Sequence, residues 1–213
     1  MSTERKADLS LFVDILHSLE AIDVPYVIIG AFAAAAYGAT RATYDIDIVV
    51  DLLDSHIESL VVRYPPPRYY ADPEQMRDSI QRGMMFNIID GYMGQKADLL
   101  PVTMNPFFAQ VLARRVRQMV EAPGCEPLEA WCARPEDVVI GKLMAWAEGR
   151  SRKHETDIYD MLVFHLLELD PSAPLDENAV NAAAMVLGPD AAQLWAALRQ
   201  AARKEAQRQR GEY

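Results

Sequence analysis

The alternation of apolar and polar residues divides the chain into short strands and amphipathic helices. Leu9, Phe12, Ile15, Leu16 and Leu19 recur along one face and predict a helix over residues 8–21. The apolar run at 26–29, entered through Pro25, predicts a buried strand. Gly30 breaks it, and the alanine-rich segment 31–37 predicts a short helix closed by Gly38. After a polar turn at 39–43, residues 45–50 predict a second strand. Asp54 and Ser55 can cap a helix to about residue 62, which the prolines at 65–67 stop. Asp72-Pro73 opens another helix through residue 82. Strands at 84–90 and 96–102 surround a turn at 91–95, Asn105-Pro106 starts a helix through residue 112, and strands at 116–121 and 128–133 follow.

From Arg134 onward the pattern is helical only. Pro135, Glu136 and Asp137 open a helix whose Val138, Val139, Leu143 and Trp146 face a core, with Lys142, Trp146 and Arg150 four apart on one side. A second helix begins at residue 152 and gathers Ile158, Met161, Leu162, His165, Leu166 and Leu169 on one face. On this reading Asp160 lies on the helix surface, and His154 and His165 are structural. Asp176 caps a third helix and Pro189 opens a last one, whose basic end at 203–210 is expected to fray. The fold class expected is α/β or α+β, a mixed sheet flanked by helices with a helical C-terminal part.

Composition narrows the function. Of the 213 residues 51% are apolar, enough for a substantial core, and the net charge is −10, which disfavours a general nucleic-acid-coating role without excluding a local basic groove. Arg114, Arg115 and Arg117 form a small basic patch, read either as a solvated face or as one that steers polyphosphate or RNA. No stretch approaches the ~20 apolar residues of a membrane span, and the N-terminus carries no signal-peptide core. Cys125 and Cys132 are spaced unlike any zinc motif. A cytoplasmic protein is expected.

The chemistry concentrates in residues 26–51. Asp45 and Asp47, at i and i+2 of a strand, project from one face while Ile46, Ile48 and Val50 bury the other. Adjacent carboxylates repel unless a cation lies between them, and hard oxygen ligands suit Mg²⁺, which completes its shell with substrate phosphates. Gly30 permits close backbone approach, and free N–H groups at a helix start bind phosphate. A lone Asp-x-Asp pair is more often a solvated strand face than a metal site. The specific feature is the whole order of strand, glycine, helix, glycine, turn with arginine, and acidic strand. Asp98, inside an apolar strand, is uncommon without a partner; an exposed face and a metal site are both open to it.

Gly30-Ala31, Gly38, Arg41, Thr43 and Asp45-Ile46-Asp47 resemble the signature of the DNA polymerase β-type nucleotidyltransferase superfamily. The resemblance is nearest to the AbiEii-like branch of type IV toxins, as the spacing from Gly30 to Asp45 suggests. It extends over about residues 24–162, because Pro135-Glu136-Asp137, Lys142 and Asp157-Ile158 look like that branch's C-terminal motifs. Ala31 departs from the usual second Gly or Ser and removes a hydroxyl contact. The resemblance implies a nucleotidyltransferase core over 1–122 and a helical region over 123–213 closing the active site. It implies Mg²⁺ or Mn²⁺ on Asp45, Asp47 and Asp98, and an NTP bound by Gly30, Ala31, Arg41, Thr43 and Lys142. Lys142 and Asp157 assist catalysis, or form only an ion pair between packed helices. The reaction implied moves an NMP to an acceptor hydroxyl on a tRNA end, a protein or an antibiotic-like small molecule. The role implied is the toxin of a toxin–antitoxin or abortive-infection system, with a cognate antitoxin as partner. A non-catalytic nucleotide-binding or interaction protein is the other reading: Ala31 favours it, and the aspartates oppose it.

Overall fold

The computed structural model describes residues 10–41, 46–120 and 126–211. Backbone contacts divide the chain into two compact units, Met1–Phe32 with Thr43–Cys132, and Ala33–Ala42 with Ala133–Tyr213.

The first unit carries the sheet. Its elements are α1 (Ser10–Ala21), β1 (Tyr26–Ile28), the start of α2 (Gly30–Ala35), β2 (Asp47–Val50), α3 (Asp54–Arg63), β3 (Tyr69–Tyr70), α4 (Pro73–Arg82), β4 (Phe86–Asp90), β5 (Gln95–Pro101), α5 (Pro106–Ala113), β6 (Val116–Val120) and β7 (Leu128–Cys132). The strand order is β3-β4-β5-β2-β1-β7-β6. β2 with β5 and β1 with β7 run parallel, and the other neighbours antiparallel, so the sheet is mixed as expected. Helix starts follow the sequence signals: Asp72 accepts a hydrogen bond from the Gln75 amide at 2.8 Å, and Asn105 from the Phe107 amide at 2.9 Å. Ile15, Leu16 and Leu19 of α1 are fully buried, and α1 packs on β5.

Three expectations change. β2 is buried on both faces past Asp47, because Val49 is as inaccessible as Ile48 and Val50; the strand is central in the sheet, between β5 and β1. The hairpin turn is shorter than expected, Gln95 pairing with Asp90. The edge strand β3 was not expected, since two residues are too few to show alternation. The basic patch is tied down. Arg115 and Arg117 lie 4.6 and 4.3 Å from the Trp131 ring, and Arg117 donates to Glu20 at 2.7 and 3.2 Å.

The second unit holds α6 (Pro135–Gly149), α7 (Arg152–Leu166), α8 (Glu177–Leu187) and α9 (Pro189–Arg210), with α7 packed on α9 and α6 on both α7 and α8. Val138, Val139, Leu143 and Trp146 are buried as expected. The chain does not fray at 203–210: α9 continues to Arg210 because Ala202 and Ala206 are buried. Leu169 is not on the buried face of α7. The helix ends first, Glu168 takes positive φ, and Leu169 is exposed. Among the described residues no helix is long and apolar enough to cross a membrane.

Candidate functional site

In the first unit, Asp47 opens β2 with its Cα paired to that of Asp98 on the parallel strand β5. Paired residues on neighbouring strands project from the same face, about 4.8 Å apart between strands. The backbone fixes this register on both sides of Asp47. The Ile29 amide donates to the Asp47 carbonyl at 3.0 Å, and the Asp98 amide to the Ile46 carbonyl at 3.1 Å. Gly30 stands against the carboxylate: its φ is +69°, and a Cβ there would lie 2.1 Å from Asp47 Oδ2. Only glycine fits that backbone and that space. Ala31 follows in the first turn of α2, half-buried.

Asp98 is buried and has partners. Lys96 Nζ lies 3.1 and 3.0 Å from its two carboxylate oxygens, and Asn87 Nδ2 donates to Oδ1 at 2.5 Å. Lys96 precedes Asp98 by two residues, so the strand period alone puts it on that face. Asn87 could be found only from the hairpin register. Thr43 and Asp45 lie outside the described residues. Among the described residues no group of three or more His, Cys, Asp or Glu side chains could hold a metal ion. Asp47 and Asp98 supply hard oxygen donors on one sheet face, beside a glycine whose missing side chain makes room for the Asp47 carboxylate. That donor chemistry fits a divalent cation such as Mg²⁺.

The second unit brings together Arg41, Lys142 and Asp157. Lys142 on α6 and Asp157 on α7 are both buried, with Lys142 Nζ 2.5 Å from Asp157 Oδ2. Arg41 adds a forked contact, Nε to Oδ1 and Nη2 to Oδ2, each 3.2 Å. Burial opposes ionisation of Asp157, but the hydrogen bonds from Arg41 and Lys142 outweigh it and hold the carboxyl below the usual carboxylate range. One anion thus gathers two cations. The ion pair between Lys142 and Asp157 is present, and Arg41, expected only at the nucleotide, is its third member. Asp160 is only half-buried on α7, and its Oδ2 accepts from the Thr40 amide at 3.1 Å and the Thr40 hydroxyl at 2.7 Å.

His154 and His165 sit in the same unit. His165 Nδ1 accepts from the Leu175 amide at 3.4 Å. His154 Nδ1 is buried without a hydrogen-bond partner among the described residues, and burial together with the charges of Lys142 and Lys153 lowers its pKa.

Several solved structures are similar in fold. An antigenic nucleotidyltransferase-like protein from Paracoccidioides brasiliensis shares 16% identity at a TM-score of 0.48, covering 87% of this chain and 90% of its own. JHP933 from Helicobacter pylori shares 14% at 0.42, covering 95% and 93%. The antibiotic-resistance factor ANT(2'')-Ia shares 17% at 0.39, covering 92% and 91%. No curated protein matches the chain. By sequence, the chain belongs to the family described as nucleotidyl transferase AbiEii toxin, type IV TA system, which matches residues 17–212.

Proposed function

We propose that this protein transfers a nucleoside monophosphate from an NTP to an acceptor hydroxyl, with pyrophosphate leaving, as the toxin of a type IV toxin–antitoxin pair. The observation that supports it is the pairing of Asp47 with Asp98 beside Gly30, in a chain of the AbiEii family. Mg²⁺ or Mn²⁺ would be held by Asp45, Asp47 and Asp98, and when bound supplies neutralisation of the phosphate charge. The backbone amides at Gly30 and Ala31 receive phosphate oxygens. Asp98 takes the proton of the attacking hydroxyl. Arg41 and Lys142 stabilise charge developing on the leaving pyrophosphate, and Asp157 holds both cations in place. Thr43 contacts the nucleotide. Ala31 lacks a hydroxyl, which weakens NTP binding by about one to two decades.

The test is calorimetry with each of the four NTPs, with and without Mg²⁺, followed by incubation of labelled NTP with total cell RNA, protein and aminoglycosides. Metal-dependent binding with label on one acceptor supports the transferase and names its substrate. Binding without transfer leaves a nucleotide-binding interaction protein. No binding at millimolar NTP refutes both.

A further inference from the structure

Residues 37–41 follow α2 in the chain, and residues of their own unit hold them at four points. The Tyr37 hydroxyl donates to the Ala133 carbonyl at 2.8 Å. Gly38, at φ +90°, lies so close to Phe164 that a Cβ would stand 2.4 Å from its Cβ, Cγ and Cδ2. Thr40 gives both its amide and its hydroxyl to Asp160, and Arg41 forks onto Asp157. Three of these four anchors, Asp157, Asp160 and Phe164, come from α7 at spacings of three and four. Such residues form one ladder along a helix face. Asp160 is the rung next to Asp157, and Thr40 is the residue next to Arg41.

We propose that Asp160 is a positioning residue: by fixing Thr40 it holds Arg41 in the forked geometry on Asp157, so that Arg41 and Lys142 meet the nucleotide phosphates as a preset pair. This rests on the nucleotidyltransferase reading. An arginine on an untethered segment samples many positions, and apparent affinity falls by the fraction of time it is in place. Thr40 is the discriminating side chain. Valine keeps its shape and its amide but removes the hydroxyl, and serine keeps the hydroxyl.

The experiment pairs hydrogen exchange with NTP calorimetry on the full-length protein, for Asp160→Ala, Thr40→Val, Thr40→Ser and the Asp160→Ala/Thr40→Val double variant. Expected is faster exchange at 38–41 in Asp160→Ala with α7 itself unchanged, and a Kd for NTP raised about tenfold. Thr40→Val should follow in part, Thr40→Ser should match the parent, and the double variant should be no worse than Asp160→Ala. Unchanged exchange at 38–41 overturns the tether. Faster exchange with Kd within twofold of the parent overturns the positioning role and leaves a merely structural contact. Additive losses in the double variant also overturn it, because the two groups would then act apart. A parent protein that binds no NTP refutes the nucleotide reading itself, and the role of Asp160 with it; the exchange data still report the tether.

Discussion

Gly30 and Asp47 are in direct contact: a methyl group at Gly30 would lie 2.1 Å from the Asp47 carboxylate, and the glycine already has φ +69°. The backbone of the first helical turn is thus pressed against a candidate metal ligand. Replacing Gly30 by alanine adds backbone strain and a clash. The strain alone costs about 1–3 kcal/mol, and the clash displaces Asp47. Gly30→Ala is expected to lower the melting temperature and to abolish Mg²⁺-dependent NTP binding. A variant of unchanged stability and affinity would contradict the close fit.

Asp157 faces two cations, so the three residues do not contribute equally. Removing the anion leaves buried Lys142 without this partner, and breaking a buried pair costs about 3–5 kcal/mol. Removing Lys142 leaves Asp157 with Arg41. Asp157→Ala should therefore destabilise more than Lys142→Met, and a double-mutant cycle in urea should show coupling. Lys142→Met should in addition weaken NTP binding. Equal losses and no coupling would show that the pair contributes little.

Acid stability should reflect the same groups. Asp157 is held low by Arg41 and Lys142 against burial, and Asp90 by hydrogen bonds from Arg68 against burial. Their folded values lie below their unfolded ones, so the stabilisation is complete above about pH 4 and is lost as pH falls through the folded values. His154 is depressed from 6.5 by burial and by Lys142, so it too gives stability that is present above its unfolded value and lost as pH falls. Melting temperatures from pH 8 to 3 should decline first below about 6.5 and again below about 4. His154→Gln should remove the first decline, and Asp157→Asn should flatten the second.

Most elements were legible because their signals are local. Asp72-Pro73, Asn105-Pro106 and Asp176 each carry a cap that needs no tertiary information, and α4, α5 and α8 begin where those caps predict. The acidic pair of strands was legible from the resemblance and from the period of two. What was not legible depends on register and on distant contacts. Placing the hairpin turn one residue too long opposes Ile88, not Asn87, to Asp98, since a one-residue slip turns each side chain to the other face. Arg41 and Asp157 are more than a hundred residues apart, as are Thr40 and Asp160, and no spacing rule connects them. The buried end of α9 was misread because charge at 203–210 outweighed the small alanines that pack beneath it.

The proposed nucleotidyl transfer requires Asp45, Asp47 and Asp98 to act together with a divalent metal. The most direct measurement is transfer of label from NTP to the acceptor by the parent protein and by Asp45→Asn, Asp47→Asn and Asp98→Asn, with Mg²⁺ titrated in each case and folding checked by circular dichroism. Expected are Mg²⁺-dependent transfer by the parent, and folded variants whose transfer is lost at every Mg²⁺ concentration. Folded Asp47→Asn or Asp98→Asn variants that transfer label as fast as the parent would contradict this requirement.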